Sequence, residues 1–264
     1  MAVASSLFSS GGGVFVPSPA ARGPWDPGAL HGGAPAALVA HLLESMPFDG
    51  PGRFTRLSVE LLRPVPLDHL EVELRVVRAG RQVQWLEAGI DAAGRPVGRV
   101  QATRVRTLPG TNDAAPGPDA APPPPEAGEV RAGPPGSDEG GFATDALELR
   151  FVRGEFGVAG PATTWFRFRF PVLDGAAASP FVLAAAVSDF GNGIANALDW
   201  NAYTFLNADL DLHLERAPEG EWLASEAITC LAEDGTGVAH ARLHDRRGPV
   251  GRASQSLLVV PRSG

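Results

Sequence analysis

An aspartate stands where a buried helix is expected, and this position makes it the first candidate for chemistry. In the stretch "LAAAVSDFGNG" (183–193), Asp189 follows a run of small apolar side chains. A bare carboxylate is costly in apolar surroundings unless it has partners. An ionised carboxylate only accepts hydrogen bonds, which suits it to take a proton from water. The structural alternative is a solvated carboxylate that ends the helix near Gly191.

Several catalytic and metal-binding patterns are excluded. Cys230 is the only cysteine, so an intramolecular disulfide and a multi-cysteine metal site cannot form. The chain contains no lysine, which rules out a phosphate-loop lysine and a Schiff base, and no G-x-S-x-G elbow. His240 and His244 lie on an expected strand, where residues four apart are separated by about 13 Å and cannot share one ion. The sequence therefore predicts no metal and no cofactor.

Composition narrows the classes of partner. The chain has 264 residues, of which 44% are hydrophobic and 20% charged, as in globular domains, and its net charge is -8. An acidic balance without a basic patch argues against nucleic acid and against an anionic membrane surface. The first residues have no basic n-region with an apolar core, and no run could span a bilayer. We therefore expect a cytoplasmic protein.

A change in composition divides the chain into two halves. Residues 107–141 are dense in proline, glycine, alanine and acid, with almost nothing to bury, which is typical of a mobile linker. We predict one domain over residues 1–106 and a second over residues 142–264.

Both halves follow one plan. In the first, a helix that is apolar on nearly every side (31–46) precedes four strand-like runs with period-two alternation; these runs are 53–63, 70–78, 83–90 and 97–106. The second half has an apolar helix through "FVLAAAVSDF" followed by runs at 205–214, 222–231, 237–245 and 252–260. "FTRLSVEL" (54–61) matches "YTFLNADL" (203–210), and "PVGR" occurs at 96–99 and 249–252. We interpret this as an internal duplication.

One buried helix followed by a long antiparallel meander favours a sheet wrapped around that helix. The predicted class is α+β, with two antiparallel sheets that each enclose a central helix. A β-sandwich with an additional helix is the alternative.

These features resemble the thioesterase-like superfamily with the double hotdog fold, specifically the bacterial acyl-CoA thioesterase II type. The resemblance covers nearly the whole chain outside the linker, and its residues are "HGG" at 31–33, "SD" at 188–189 and Gln255 in the last strand. It implies a hydrolase of acyl-CoA or a related acyl thioester, in fatty acyl metabolism. It also implies that fused hotdogs assemble into homo-oligomers.

The resemblance assigns roles to three residues. In the family, the second-half aspartate, a hydroxyl residue early in the next strand, and a glutamine in the final strand hold the attacking water. Asp189 and Gln255 match these positions, whereas the hydroxyl position falls at Asn207, with Thr204 as the alternative if the alignment is shifted. An amide can donate and accept as a hydroxyl does. The departure at Asn207 nevertheless puts full activity in question.

The glycine pair of the first half is the expected substrate-binding element. N–H groups near Gly32 and Gly33, at a helix N-terminus, suit the thioester oxygen as it becomes negative, and His31 either lines the same pocket or only caps the turn. "HGG" is distinctive in one half and "SD" in the other. We therefore expect a single composite site between the halves.

Two other functions remain open. The change at Asn207 favours a non-catalytic hotdog protein that binds acyl-CoA or another acyl thioester. A hotdog hydratase would pair an aspartate with a histidine, and the second half has no histidine near Asp189 in sequence.

Overall fold

Thirteen antiparallel strands join into one sheet in the described part of the chain. The computed structural model describes residues 5–111, 120–131, 133–134, 140–175 and 177–262. The strands of the first half are β1 (Phe8–Gly11), β2 (Val14–Pro17), β3 (Gly52–Leu61), β4 (Leu70–Ala79), β5 (Val83–Ala92) and β6 (Arg95–Arg106). Those of the second are β7 (Leu147–Arg153), β8 (Ala162–Phe168), β9 (Tyr203–Asn207), β10 (Asp209–Leu214), β11 (Leu223–Leu231), β12 (Thr236–Asp245) and β13 (Gly248–Pro261).

The strand order is symmetric about its centre. It runs β1-β2-β4-β5-β6-β3 in the first half and continues β10-β13-β12-β11-β8-β7 in the second, with β9 also paired to β13. In each half a hairpin precedes the helix, and the strand that follows the helix returns to the end of the meander. The two halves therefore share one topology, which agrees with the duplication predicted from the sequence.

The two predicted sheets are joined into one, which differs from the expectation of separate sheets. The junction is the antiparallel pair of β3 and β10, in which Leu57 lies opposite Leu212 and Val59 opposite Leu210. An exposed edge strand leaves backbone N–H and C=O groups without partners. Pairing β3 with β10 satisfies these groups in both halves at once.

Two helices lie buried beside each other. These are α1 (Gly33–Glu44) and α2 (Pro180–Val187), and they pack together against the inner face of the sheet. Every residue from Phe181 to Val187 is buried, as expected for helices that are apolar all round. At α2, the Ser179 hydroxyl accepts the Val182 N–H and Pro180 occupies the first turn. After Val187 the chain tightens into a 3-10 turn (Ser188–Phe190) and a short α3 (Gly191–Ile194).

Four strands were not anticipated from the sequence. The hairpin of β1 and β2 extends the first half beyond β4, and that of β7 and β8 extends the second half beyond β11. β1 and β2 are separated by glycines, and residues Ala162–Phe166 of β8 are buried without alternation. Neither pattern has the period of two by which the other strands were recognised.

Part of the predicted linker is bonded to the second half. Trp165 donates from Nε1 to the carbonyl of Pro123 at 2.7 Å, Glu129 bridges to Phe151 through the backbone, and Arg246 pairs with the Glu126 carboxylate. Residues 112–119, 132 and 135–139 of the predicted linker lie outside the described residues. The domain boundaries at 106 and 142 stay predictions.

Candidate active site

Asp189 lies in the 3-10 turn that continues α2, and it is only 7% exposed. Its Oδ2 atom meets the start of the first-half helix. The backbone N–H of Gly33 donates to Oδ2 at 2.7 Å, and Nδ1 of His31 lies 2.6 Å from the same oxygen. The carboxylate of one half is thus held by the "HGG" segment of the other.

The second carboxylate oxygen meets two amides from the sheet. Asn207 donates from Nδ2 to Oδ1 at 2.6 Å, and Gln255 donates from Nε2 to the same atom at 3.3 Å. Oε1 of Gln255 accepts the backbone N–H of Asn192 at 3.0 Å. This bond fixes the orientation of the Gln255 amide, because its oxygen must face Asn192 and its nitrogen must face Asp189.

Asn207 reaches the carboxylate because the strand alternation breaks beside it. The uninterrupted pattern over 205–214 places Leu206 on the inner face, but Leu206 is 44% exposed and Phe205 is buried. Asn207 pairs with Leu257, whereas Asp211 pairs with Ser254, so one residue is added at Ala208 between β9 and β10. The bulge therefore turns Asn207 toward Asp189, whereas uninterrupted alternation would place it on the same face as Asp209 and Asp211.

Gly32 and Gly33 must be glycines because neighbouring atoms approach their backbones closely. A Cβ atom on Gly32 would lie 2.9 Å from Oδ2 of Asp189, and one on Gly33 would lie 2.4 Å from the carbonyl oxygen of Ala186 in α2. Any side chain at position 33 would separate the two helices. The close contact at Gly32 allows the backbone to lie against the Asp189 carboxylate. The close contact at Gly33 allows α1 to pack directly on α2.

The structure brings together the five residues that sequence reasoning placed near one site with Asp189. Asn207 and Gln255 contact its carboxylate, His31 and Gly33 contact it from the other half, and Gly32 lies against it. Thr204, the alternative to Asn207, lines the same cavity and has no side-chain hydrogen bond to Asp189 among the described residues.

Two features of the site were missed. The first is the contact between His31 and Asp189. The second half has no histidine near Asp189 in sequence, but the first half of the chain supplies one. The argument against a hydratase therefore loses its premise. The second is Asn192, whose buried backbone orients Gln255 and whose Oδ1 accepts from the Thr229 hydroxyl at 3.4 Å. The only sequence signal for Asn192 was its position between two glycines in "GNG" (191–193).

His31 is clamped between aromatic rings. Its ring centroid lies 4.5 Å from that of Phe190 in a stacked arrangement and 5.0 Å from that of Phe142. Both phenylalanines are buried. The imidazole is thereby held with Nδ1 2.6 Å from Oδ2 of Asp189, where it accepts the Gly33 N–H at 3.1 Å.

A cavity of about 510 Å³ opens beside the carboxylate. Its polar wall includes His31, Gly32, Asp189, Asn192 and Asn207, and Gln255 lies behind this wall at 1% exposure. The remaining walls are largely apolar, with the stacked indoles of Trp25 and Trp200, 4.3 Å apart, among residues that also include Leu61, Leu62, Val65, Phe156, Phe190, Phe205 and Leu206. An apolar cleft with a few convergent polar groups is typical of a small-molecule site.

The histidines of β12 have other partners. His240 is exposed, Nε2 of the buried His244 lies 2.8 Å from Glu226, and the Asp245 carboxylate pairs with Arg216. Among the described residues, no group of three or more histidine, cysteine, aspartate or glutamate side chains is arranged to hold a metal ion. None of the described helices is long and apolar enough to cross a bilayer.

Two helix-and-meander halves, joined edge to edge with one polar cluster between them, define a protein of the double hotdog class. The model of the acyl-CoA thioesterase C-terminal domain matches residues 118–259, and that of the N-terminal domain matches residues 21–105. The chain therefore belongs to the acyl-CoA thioesterase family.

Solved structures have the same fold. A candidate thioesterase II from Thermobifida fusca is 19% identical, with 97% of this chain and 96% of that chain covered at a TM-score of 0.70. An acyl-CoA thioesterase II from Mycobacterium marinum is 18% identical over 89% and 91%, with a TM-score of 0.64. A hot dog protein of unknown function from Alicyclobacillus acidocaldarius is 16% identical over 97% and 96%, with a TM-score of 0.70. No curated protein matches the chain by sequence.

Proposed function

We propose that this protein hydrolyses acyl-CoA or a closely related acyl thioester with a water activated at Asp189, Asn207 and Gln255. The observation that carries the proposal is the amide-held carboxylate of Asp189 on the wall of an apolar cavity. Membership of the acyl-CoA thioesterase family supports the same substrate class.

The proposed chemistry needs a bound acyl group, an activated water and a donor for the developing oxyanion. The apolar walls of the cavity hold the acyl chain by burying it. The attacking water lies on the cavity side of Asp189 and Asn207, since Gln255 is enclosed behind them. Gln255 then acts by positioning the carboxylate.

The carbonyl oxygen of the thioester is assigned to the N–H of Gly32. The N–H of Gly33 is already directed at Asp189 at 2.7 Å, so it is committed to the carboxylate. Gly32 lines the cavity at the start of α1, and its N–H makes no hydrogen bond within the described part of the chain. A donor aimed at the place where charge develops stabilises the transition state more than the ground state.

The proposal is tested by incubating the purified protein with acyl-CoAs of graded chain length and measuring the free thiol released. Hydrolysis by the unmodified chain, reduced at least about 100-fold in Asp189→Asn, is the expected result. Asp174→Asn is the matched control, because Asp174 is exposed on a loop and, among the described residues, accepts a side-chain hydrogen bond from Ser5 at 3.4 Å. Equal rates in the two variants would refute a site at Asp189.

A binding protein without hydrolysis is the second candidate. The observation in its favour is the short 2.6 Å bond from Asn207 to Asp189, which occupies the side of the carboxylate where a hydroxyl is expected in the family. Tight binding of acyl-CoA with no thiol released from any chain length would select this candidate.

A hydratase is the third candidate, and it is favoured by the contact between His31 and Asp189. This reaction adds water across the double bond of a 2-enoyl thioester and leaves the thioester intact. Loss of the enoyl absorbance without release of thiol would identify it. The cytoplasmic location and the homo-oligomeric state stay predictions from the sequence.

A further inference from the structure

Two stacked tryptophans form one wall of the cavity beside Asp189, and each comes from a different half of the chain. The indole rings of Trp25 and Trp200 lie 4.3 Å apart between centroids, with an angle of 22° between their planes. The Phe205 ring lies 6.2 Å from that of Trp25, and all three side chains line the cavity. Trp25 is half-buried, whereas Trp200 and Phe205 are buried. The wall therefore extends into the interior of the protein.

Several contacts hold the indole of Trp25 in position. The Gly23 N–H donates to the carbonyl of Ala29 at 2.9 Å and closes the turn that carries Trp25. The guanidinium of Arg262 lies over the indole, with Cζ 5.2 Å from the ring centroid, which is a favourable cation–π contact. Arg262 is bound in turn through its backbone N–H, which donates to the carbonyl of Ala202 at 2.9 Å. A ligand cannot displace this wall without breaking these contacts.

The mouth of the cavity is marked by the lining residues that are exposed to solvent. These are Asp26, Leu62, Arg63, Pro64 and Leu206. Arg63 is the only arginine among the described lining residues, so it is the group at the mouth that suits a phosphate. The phosphates of coenzyme A are charged, and burying them in apolar surroundings would cost much free energy. The carrier must therefore stay at the mouth while the acyl group points toward the buried wall.

Strand β9 gives the length available to the acyl group. Asn207 contacts Asp189, and Phe205 lies two residues earlier, about 7 Å along the strand. The ring centroid of Trp25 is a further 6.2 Å from that of Phe205. An extended hydrocarbon chain advances about 1.3 Å per carbon, since C–C bonds are about 1.5 Å long. A chain that starts at Asp189 and follows β9 therefore meets the indole wall within about ten carbons.

We infer that the stacked pair of Trp25 and Trp200 limits the length of the acyl group, so that the substrates are acyl thioesters of short and medium chain length. The inference rests on the proposed function and names its acyl group. Within the limit, each added methylene buries apolar surface and should raise kcat/KM about fourfold. A longer chain must displace a packed indole or leave carbons in water. The gain per methylene should therefore end at the limit.

Replacement of one indole should move the limit to longer chains. Trp25→Ala removes a half-buried ring and leaves space into which an acyl chain can extend. Relative to the best substrate of the unmodified protein, kcat/KM for a chain two carbons longer should rise at least about tenfold in this variant. Thiol release from acyl-CoAs of graded chain length measures the profile. Trp200→Phe keeps the wall apolar with a smaller ring, and it should shift the limit in the same direction.

Trp222→Ala is the matched control. Trp222 is a buried indole with the guanidinium groups of Arg150 and Arg167 over its ring, at 5.3 and 4.7 Å from the centroid, and it lies outside the described cavity lining. Its loss removes an equally large ring and similar cation contacts, so stability should fall while the chain-length profile stays as in the unmodified protein. A shift equal to that of Trp25→Ala would overturn the inference, because general loosening of the fold would then be the cause.

A second measurement does not use activity. Calorimetric titration with non-hydrolysable thioether analogues of graded chain length should show affinity that rises about fourfold per methylene and levels off within about ten carbons. In Trp25→Ala the rise should continue to longer chains. Identical profiles for the unmodified protein, Trp25→Ala and Trp200→Phe would overturn the inference. The expected affinity profile without any thiol release would instead refute the proposed hydrolysis and leave the limit on acyl length in place.

Discussion

Asn207 donates from Nδ2 to Oδ1 of Asp189 at 2.6 Å, from the strand residue that precedes the bulge at Ala208. The bond links the sheet to the turn after α2. It exists because the bulge places Asn207 on the inner face, next to the cavity. The polar cluster therefore depends on strand pairing as much as on residue type.

Replacement of Asn207 should separate the need for a polar group from the need for an amide. Asn207→Leu removes one donor that positions Asp189, and misplacement of a catalytic group can cost on the order of 100-fold in kcat. Asn207→Thr supplies a hydroxyl, so we expect activity within about tenfold of the unmodified protein. Thiol release measures both, with the exposed Asn201→Thr as control. Full activity in Asn207→Leu would exclude a role for this side chain.

A methyl group at Gly191 should disrupt the glutamine that holds Asp189. A Cβ there would lie 2.6 Å from Oε1 of Gln255, whereas one at Gly193 would meet nothing within 4 Å. We expect Gly191→Ala to lower the free energy of unfolding by about 1–3 kcal/mol and to reduce activity. Gly193→Ala, in the same short helix, should change stability by less than about 1 kcal/mol. Urea denaturation and the thiol assay distinguish them, and equal effects would contradict the geometry.

Alanine at the two glycines of "HGG" should have different effects on stability and activity. Gly33→Ala places its methyl group 2.4 Å from the backbone carbonyl of Ala186, so α1 and α2 must move apart and stability should fall by about 2 kcal/mol or more. Gly32→Ala presses only on the side chain of Asp189, which can move. We therefore expect the second variant to remain folded in thermal denaturation with much reduced hydrolysis. An active Gly32→Ala enzyme would argue against a reacting group beside Gly32.

Stability at acid pH should depend on the buried carboxylate of Asp245. Burial alone would raise its pKa, but hydrogen bonds from the Arg216 guanidinium and from the backbone N–H groups of Arg247 and Glu219 outweigh this effect and leave the pKa below its usual value. A lowered folded-state pKa adds stability above the unfolded value of about 3.9, and this stability is lost as pH falls through the folded value.

Asp245→Asn should therefore cost about 2–3 kcal/mol near pH 7, because charge-assisted bonds are lost. The difference from the unmodified protein should shrink as pH falls below about 4. Urea denaturation across this range measures it. The control is Asp174→Asn at an exposed loop. A difference that stays constant with pH would show that the charge of Asp245 is not the cause.

Local patterns in the sequence were enough for much of the fold and for part of the site. The apolar helices and all eight alternating runs correspond to elements of the structure, because a period of 3.6 or two indicates which face is buried. Gln255 is buried between Ala253 and Leu257, as alternation requires. β1, β2 and β8 lack such a period and were not recognised. β7 does alternate, with Leu147, Leu149 and Phe151 buried, and was missed although its pattern was present.

By itself, the sequence determined the duplicated plan, the buried helices and the unusual position of Asp189, and its family resemblance added Gln255 and "HGG" as candidates. Tertiary structure decided that β3 and β10 join the halves into one sheet, that Asn207 faces inward, and that His31 meets Asp189. The physical reason is the separation along the chain of the residues that determine each feature. Burial periodicity is a property of neighbouring residues, whereas a bulge and a contact between halves depend on pairing with strands and helices distant in the chain.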